Sequence, residues 1–500
     1  MTVIHAPKAG GAAPSPPAAT PLGAAIEERA AELLFPEAKR RERRRRVAAV
    51  AALLVASAAA FAVATSLGGS SRPARRLGKT TAVSPVVDAR AFSHEGLLAF
   101  TSGRRLYVLD GNNLSLRQVG TARTGAEEPT FSRDGKWLAY IASGGETTTG
   151  AGEEAPYAPF TGPVVISLAD GSAARRITGI GPISSLEWSP AGDRLLVVSG
   201  PVPYYGNAVW LVSPTGQKRR LYSGESVFGA VWSPNGSQVA IAIQRPHGEG
   251  PTTLETLPAA SGTGRVWSRP LAASEQWLIP IGWWNNQGIG LWTGGNGTTP
   301  AGDGSLDGAT LMLAPSPGAP LRSLGHTPPV AMTPVASSKP GWLAIDSGGD
   351  RVAWAQKSIE TCAPGAGRCS AIPAPPDTTS FDPTWSQDGT KLAFVEAPTN
   401  EYPSFAANKV RSWYAAGRLE VLAAGTSQAI QVPHTLGASA PQWSPYGYSL
   451  LYVANDALYL VRKPGDTPVR IAGPLLPTNQ WTSTYYGGID WRFMFAWTAR

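Results

Sequence analysis

The sequence predicts an all-β chain: a β-propeller of seven to eight four-stranded blades, preceded by a single transmembrane helix. Three observations carry this. A unit made of an aromatic, Ser, two turn residues, Gly and a short apolar run recurs without a gap at five places. Further strand-like segments joined by tight turns follow the copies, with no helical segment between them, as in a propeller. Near the N-terminus lies a stretch of roughly 20 apolar or small residues without a charge, long enough to span hydrocarbon as a helix.

The unit is clearest at Trp443-Ser444-Pro445-Tyr446-Gly447, which leads into Tyr448-Ser449-Leu450-Leu451-Tyr452. The other copies start at Phe131, Trp188, Trp232 and Trp385. The aromatic ends one strand and is placed to pack on the neighbouring unit. Ser, Pro and Gly are turn chemistry, with Gly accepting φ > 0. The apolar run after the Gly, such as Leu392-Ala393-Phe394-Val395, is unbroken, as in a strand covered on both faces. Weaker copies are Trp284 to Gly288, Phe92 to Gly96, and the half unit Gly349-Asp350-Arg351-Val352-Ala353-Trp354. The total is about eight units at a propeller-like spacing of roughly 40 to 60 residues. Third and fourth strands are visible at Val164 to Leu168 and Arg175 to Ile177, at Ala208 to Val212 and Lys218 to Leu221, and at Ala457 to Val461 and Pro468 to Ile471.

The N-terminal part divides in order. Residues 1–46 read as a cytoplasmic tail. It is Ala, Pro and Gly at first, then a short helix-forming stretch from Ile26 to Leu34, then a basic run from Lys39 to Arg46. Residues 47–68 form the expected span, and the basic run before it keeps the N-terminus inside and sends the rest out. A cleaved signal peptide is the rival reading, with Ala62-Val63-Ala64 as its cleavage site. Residues 69–82 are a linker and 83–500 the propeller. The expected location is therefore the cell membrane, single-pass, with the propeller outside and the membrane contacted through residues 47–68.

The chain's net charge of +8 belongs to that membrane end. From residue 80 onward 30 basic and 30 acidic residues balance, so no nucleic-acid partner is expected.

A ring of blades must close. The last segment, Gly488 to Trp497, has the character of one more strand and is expected to pair near Pro85 to Phe92, beside the first blade.

The unit Pro-x-Trp-Ser-x-Asp/Asn-Gly-x-x-Leu-Ala-Tyr/Phe, quoted at Pro441-Gln442-Trp443-Ser444, Pro383-Thr384-Trp385-Ser386 and Pro129-Thr130-Phe131-Ser132, resembles the propeller repeat of the TolB family. The same repeat occurs in propellers that precede some prolyl-oligopeptidase-type hydrolase domains. The resemblance covers residues 80 to about 473 and implies the fold. Neither the small α/β domain that TolB itself carries nor a hydrolase domain is expected here.

Long connections are expected between the second and third strands of six blades, at Gly144 to Gly162, Pro201 to Asn207, Arg245 to Pro251, Gly294 to Gly308, Ser358 to Arg368 and Pro398 to Gly417. In the first and last blades the same connection is minimal, at Gly103 and at Asn455-Asp456. One face is thus built up and the other left with tight turns. The candidate binding residues on the built-up face are Tyr157, Tyr204, Tyr205, His247, Tyr402, Trp413 and Tyr414, since aromatics are what binding surfaces are made from. The alternative is that these loops pack their own aromatics down as satellite clusters.

Cys362 and Cys369, in an oxidising compartment, are expected to form a disulfide. No catalytic residue, metal ligand or cofactor is expected. Gly224-Glu225-Ser226-Val227-Phe228 misses the last Gly of a nucleophile elbow, and the five His are scattered. Asp134 and Asp388 recur at the turn position where Asn235 also sits, which is turn chemistry. The functional expectation is a non-enzymatic binding module for an envelope protein, peptide or glycan. The alternative is a carbohydrate-active hydrolase or lyase on a propeller scaffold.

Overall fold

The computed structural model describes residues 84–499, apart from 104, 121–124, 144–161, 201–205, 245–251, 263, 269–276, 285–287, 295–309, 327–334, 337–340, 348–356, 364–368, 400–413 and 476–490. Residues Val83–Arg500 form one compact unit, distinct from Met1–Ala82. The expected span 47–68 lies outside the described residues. Among the described residues, no helix is long and apolar enough to cross a membrane.

The described residues build eight antiparallel four-stranded blades. Blade 2 is Gly125–Phe131, Trp137–Ser143, Val164–Leu168 and Arg175–Ile177, paired in chain order. Blade 3 (from Ile183), blade 5 (from Trp277), blade 6 (from Val335), blade 7 (from Thr378) and blade 8 (from Ser439) repeat the meander. Blades 3 and 4 share one long strand, Lys218–Trp232. Its first part pairs outward with Gly206–Val212 and its last part inward with Gln238–Gln244.

The unbroken apolar runs have a direct explanation. Alternate residues of each second strand face opposite neighbours. Leu97 and Ala99 of blade 1 pack with Leu138 and Tyr140 of blade 2, while Leu98 and Phe100 pack with Leu451 and Val453 of blade 8. Ala393 and Val395 of blade 7 face Leu450 and Tyr452 of blade 8, whereas Leu392 and Phe394 face Ala344 and Ile359 of blade 6. Ala139 and Ile141 meet Leu195 and Val197 at the blade 2–3 seam, and Leu196 and Val198 meet Val239 and Ile241 at the next. One continuous cluster then joins blades 4, 5 and 6 through Ala240, Leu291 and Ile345. Every blade shares a core with both neighbours, and blade 8 shares one with blade 1, so the sheets form a closed ring.

Closure uses both ends of the unit. Phe495–Thr498 is the inner strand of blade 1, in register Leu97↔Thr498 to Phe100↔Phe495. Val86–Val87 pairs with the outer strand of blade 8, Val86↔Gly473 and Val87↔Ala472. The C-terminal strand therefore lies beside the first blade, but on Leu97–Phe100 instead of Pro85 to Phe92. Residues 89–95 are a turn, and Val86–Val87 is drawn to the other side of the seam. The described start of the closing segment, Trp491–Met494, is a 3-10 turn.

Two further expectations are corrected. Blade 6 takes its second strand from Leu343–Ser347, and the half unit around Gly349 to Trp354 is not that strand; its residues lie outside the described set. Ser358–Cys362 is the third strand of blade 6, paired with Leu343–Ser347, so the Ser358 to Arg368 stretch is not the connection between second and third strands. The Cys362–Cys369 disulfide is present. It links the end of the third strand to the residue just before the fourth.

The repeat unit does two jobs. In the turn, the Ser132 hydroxyl donates to Asp134 (2.6 Å) and accepts the Trp137 N–H (3.0 Å). Ser386 repeats this with Asp388 (2.6 Å) and the Lys391 N–H (3.0 Å), and Ser233 with Asn235 (2.9 Å) and the Gln238 N–H (2.9 Å). Gly135, Gly236 and Gly389 follow at φ 65°, 69° and 69°. The Trp indoles staple blades together. Trp188 donates to the Thr130 carbonyl (3.1 Å), Trp232 to Glu187 (3.2 Å) and Trp443 to Thr384 (3.1 Å), each reaching back one blade.

Candidate functional site

The inner strands carry a feature that the repeat conceals. Their pairing skips two residues at a bulge between Glu127 and Thr130, between Val227 and Ala230, between Phe381 and Thr384, and between Ser439 and Gln442. Three residues before the aromatic, Glu128, Gly229, Asp382 and Ala440 all take positive φ, at 50°, 78°, 54° and 46°. Only Gly does so freely, and the others hold a conformation that L residues adopt at a cost. A bulge re-aims side chains and recurs beside functional sites.

The bulged inner strands of blades 2, 7 and 8, with the closing segment of blade 1, line a cleft of about 530 Å³. Glu128, Arg133, Gln442, Arg492 and Phe493 supply its polar and aromatic chemistry, and Pro383 and Leu186 part of its apolar wall. Phe493 is 41% exposed, a large ring left in water.

Charged groups converge next to this cleft. The Asp382 carboxylate accepts the Ala440 N–H of the next blade at 3.0 Å. Asp346, on the second strand of blade 6, accepts the Asp382 N–H. Asp346 is 1% exposed, and its Oδ1 has no hydrogen-bond partner among the described residues. Burial, reinforced by the charge of Asp382, pushes its carboxyl up to about 8 against the pull of Lys357 and Arg492. The Asp346 carboxyl thus holds its proton to higher pH than an ordinary carboxylate. It sits in a group formed by Asp382, buried Lys357 and Arg492, a set of acid, base and cation able to hold or move a proton.

Asp134 and Asp388 are held at the turns. The Ser386 hydroxyl and the Thr390 groups keep Asp388 below the usual carboxylate range. For Asp134, burial pulls upward but is outweighed by Ser132 and Lys136. Among the described residues, no group of three or more His, Cys, Asp or Glu could hold a metal ion.

Of the candidate binding residues, Tyr157, Tyr204, Tyr205, His247, Tyr402 and Trp413 lie outside the described residues. Tyr414 is half-buried and packs edge-on against Phe381, with centroids 5.5 Å apart, at the blade 7–8 core. The residues that the structure does bring together, Glu128, Asp346, Asp382 and Arg492, were missed by sequence reasoning. Glu128-Pro129 and Asp382-Pro383, an acid directly before the repeat Pro, were the available signal.

No family model matches the sequence, and no curated protein matches it. Solved structures similar in fold include TolB from Acinetobacter baumannii, at 13% identity and TM-score 0.32, covering 74% of this chain and 76% of that one. The β-propeller domain of the Trilobed protease from Pyrococcus furiosus matches at 12% identity and TM-score 0.39, covering 71% and 98%. An oligogalacturonate lyase in complex with manganese matches at 13% and 0.42, covering 74% and 97%. These likenesses concern the fold alone. One expectation is nonetheless corrected. With a lyase among the similar folds, the architecture does not argue against catalysis, and the expectation that the chain is not an enzyme is dropped.

Proposed function

We propose that the protein is a membrane-anchored, extracytoplasmic propeller that binds an envelope protein, peptide or glycan through a carboxylate seated in the axial cleft. The observation behind this reading is the joint presence of Arg133 and the exposed ring of Phe493 around one cleft of about 530 Å³. A guanidinium fork matches a carboxylate, and an exposed aromatic gives contact area at low entropy cost. The compartment rests on the basic run followed by the apolar run, and the Cys362–Cys369 disulfide fits an oxidising environment. The test is affinity capture from the native envelope with the full chain in nanodiscs, followed by mass spectrometry. Arg133→Ala should weaken capture at least about tenfold at an unchanged melting temperature. Undiminished capture would refute the cleft as the site.

The charged group beside the cleft favours a second reading, a carbohydrate-active hydrolase or lyase. Burial holds the Asp346 carboxyl above the usual carboxylate range, and Asp382 lies against it. Under this reading uronate-containing polysaccharides are cleaved and Asp346→Asn abolishes cleavage. A panel of such polysaccharides left intact by the wild-type chain would count against it.

A further inference from the structure

The tight turn of blade 8 departs from every other full copy of the repeat. Three residues after the aromatic stand Asp134, Ala191, Asn235 and Asp388, and five residues after it Lys136, Asp193, Ser237 and Thr390. Blade 8 has Tyr446 and Tyr448 at these two positions. The backbone of the turn is the same. The Ser444 N–H donates to the Ser449 carbonyl (2.8 Å), the Gly447 N–H to the Ser444 carbonyl (2.8 Å), and Gly447 has φ 79°. The Tyr residues are therefore not needed to make the turn. They forgo the acid–Ser hydrogen bond of blades 2 and 7 and leave apolar area in water, a cost at each ring.

What the change produces is a platform. The two rings are 44% and 47% exposed, their centroids 5.7 Å apart and their planes 14° from parallel. Its base is rigid. The Ser449 hydroxyl, next to Tyr448, donates to the buried Glu95 carboxylate at 2.8 Å. Arg462 pairs with the same carboxylate at 3.4 Å and donates to the Ala91 carbonyl at 2.7 Å. The platform is thus fixed across the blade 8–blade 1 seam, and none of its residues lines the axial cleft.

We propose that Tyr446 and Tyr448 form a stacking site for a neutral polysaccharide chain. The site is independent of the axial cleft and adds to it. Three features select this ligand. The Arg462 charge is paired with the Glu95 carboxylate, which weakens its pull on an anion. The N–H groups of Ser444, Gly447 and Ser449 are consumed within the turn, so no open backbone edge exists there for a peptide strand to pair with. The rings stack on each other, and the aromatic surface each leaves in water, with a phenolic hydroxyl at its rim, matches a sugar ring, which presents C–H faces and hydroxyl edges.

The test uses the full chain in nanodiscs and native electrophoresis in gels containing dextran, mannan or galactan, with a proline-rich peptide as competitor. At least one neutral polysaccharide should retard the wild-type chain. The variant Tyr446→Asp/Tyr448→Thr copies the blade 7 turn Asp388-Gly389-Thr390 and so keeps a turn already proven in this ring. It should melt no lower than wild type and bind at least about tenfold more weakly. Tyr446→Phe/Tyr448→Phe should stay within about threefold of wild type, since stacking needs the ring. The proposal is overturned by absent retardation in all three gels, by undiminished binding in the Asp/Thr variant, or by displacement of the polysaccharide by the peptide at lower concentration than by free oligosaccharide.

Discussion

The indole N–H of Trp443 reaches back across the seam between blades 7 and 8 and donates to the backbone carbonyl of Thr384 at 3.1 Å. Trp188 and Trp232 make the same bond to the blade before them. Trp385 is the exception. Its Nε1 is buried and has no hydrogen-bond partner among the described residues.

This asymmetry predicts different costs for one substitution. Trp443→Phe and Trp232→Phe each orphan a carbonyl and lose ring area, and should destabilise the propeller by about 1–3 kcal/mol. Trp385→Phe removes an unsatisfied donor and should cost clearly less. Chemical denaturation of the three variants decides it. Equal losses would show that ring packing, and not the staple, stabilises the seam.

Ring closure predicts the effect of truncation. Ending the chain after Met494 removes Phe495–Thr498, strips the inner edge from Leu97–Phe100 and takes Trp497 from the blade 8–1 core. A cooperative thermal transition should be lost. A truncated chain that melts sharply at the wild-type temperature would contradict the pairing.

Stability should fall as pH rises from mildly acidic to mildly alkaline. Burial raises Asp346 from 3.8 to about 8 and Glu420, chiefly through burial and then through Glu396, from 4.5 to about 7. Between roughly pH 4 and 8 the folded state holds protons that the unfolded chain has released, so each step upward in pH favours unfolding. Asp134 and Asp388, held below 3.8, act in the opposite sense and lose their contribution only under stronger acid. Glu420→Gln should flatten the neutral part of the melting curve against pH. The gain at pH 8 is at most about 3 kcal/mol, because burial in the folded state no longer forces a proton onto the group.

Reducing the Cys362–Cys369 bridge should cost only about 2 kcal/mol, since the loop it closes is short, with a separation of seven residues. Melting with and without reductant measures it. A collapse of the whole ring on reduction would assign the bridge a larger role.

The ring was legible because its determinants are local. The aromatic-Ser turn and the two-sided apolar runs are written in neighbouring residues. Blade 6 was misread because no aromatic-Ser unit stands in the sequence at Val335–Ala336 or ahead of its second strand, Leu343–Ser347. The cleft was hidden for a different reason. Glu128 and Asp382 gain their roles from a left-handed backbone ahead of a Pro, a position where residue type argues for an extended chain. Asp346 and Lys357 belong to the same blade, but Asp382 of blade 7 and Arg492 of the closing segment reach them only through the assembled ring. In the turns, by contrast, sequence reasoning held. Asp134 and Asp388 bond their own Ser and serve the hairpin.

Because blade 1 takes its inner strand from Phe495–Thr498, its sheet is among the first made and the last finished. At a synthesis rate of about 5–20 residues per second, Leu97–Ser102 waits roughly 20 to 80 seconds for its partner to be translated. Throughout that interval a strand that is fully buried in the finished ring offers an open hydrogen-bonding edge to any other nascent chain. The nascent propeller therefore depends on being shielded until Phe495–Thr498 emerge, and crowded overproduction would harm it long before any defect in the mature ring could be seen.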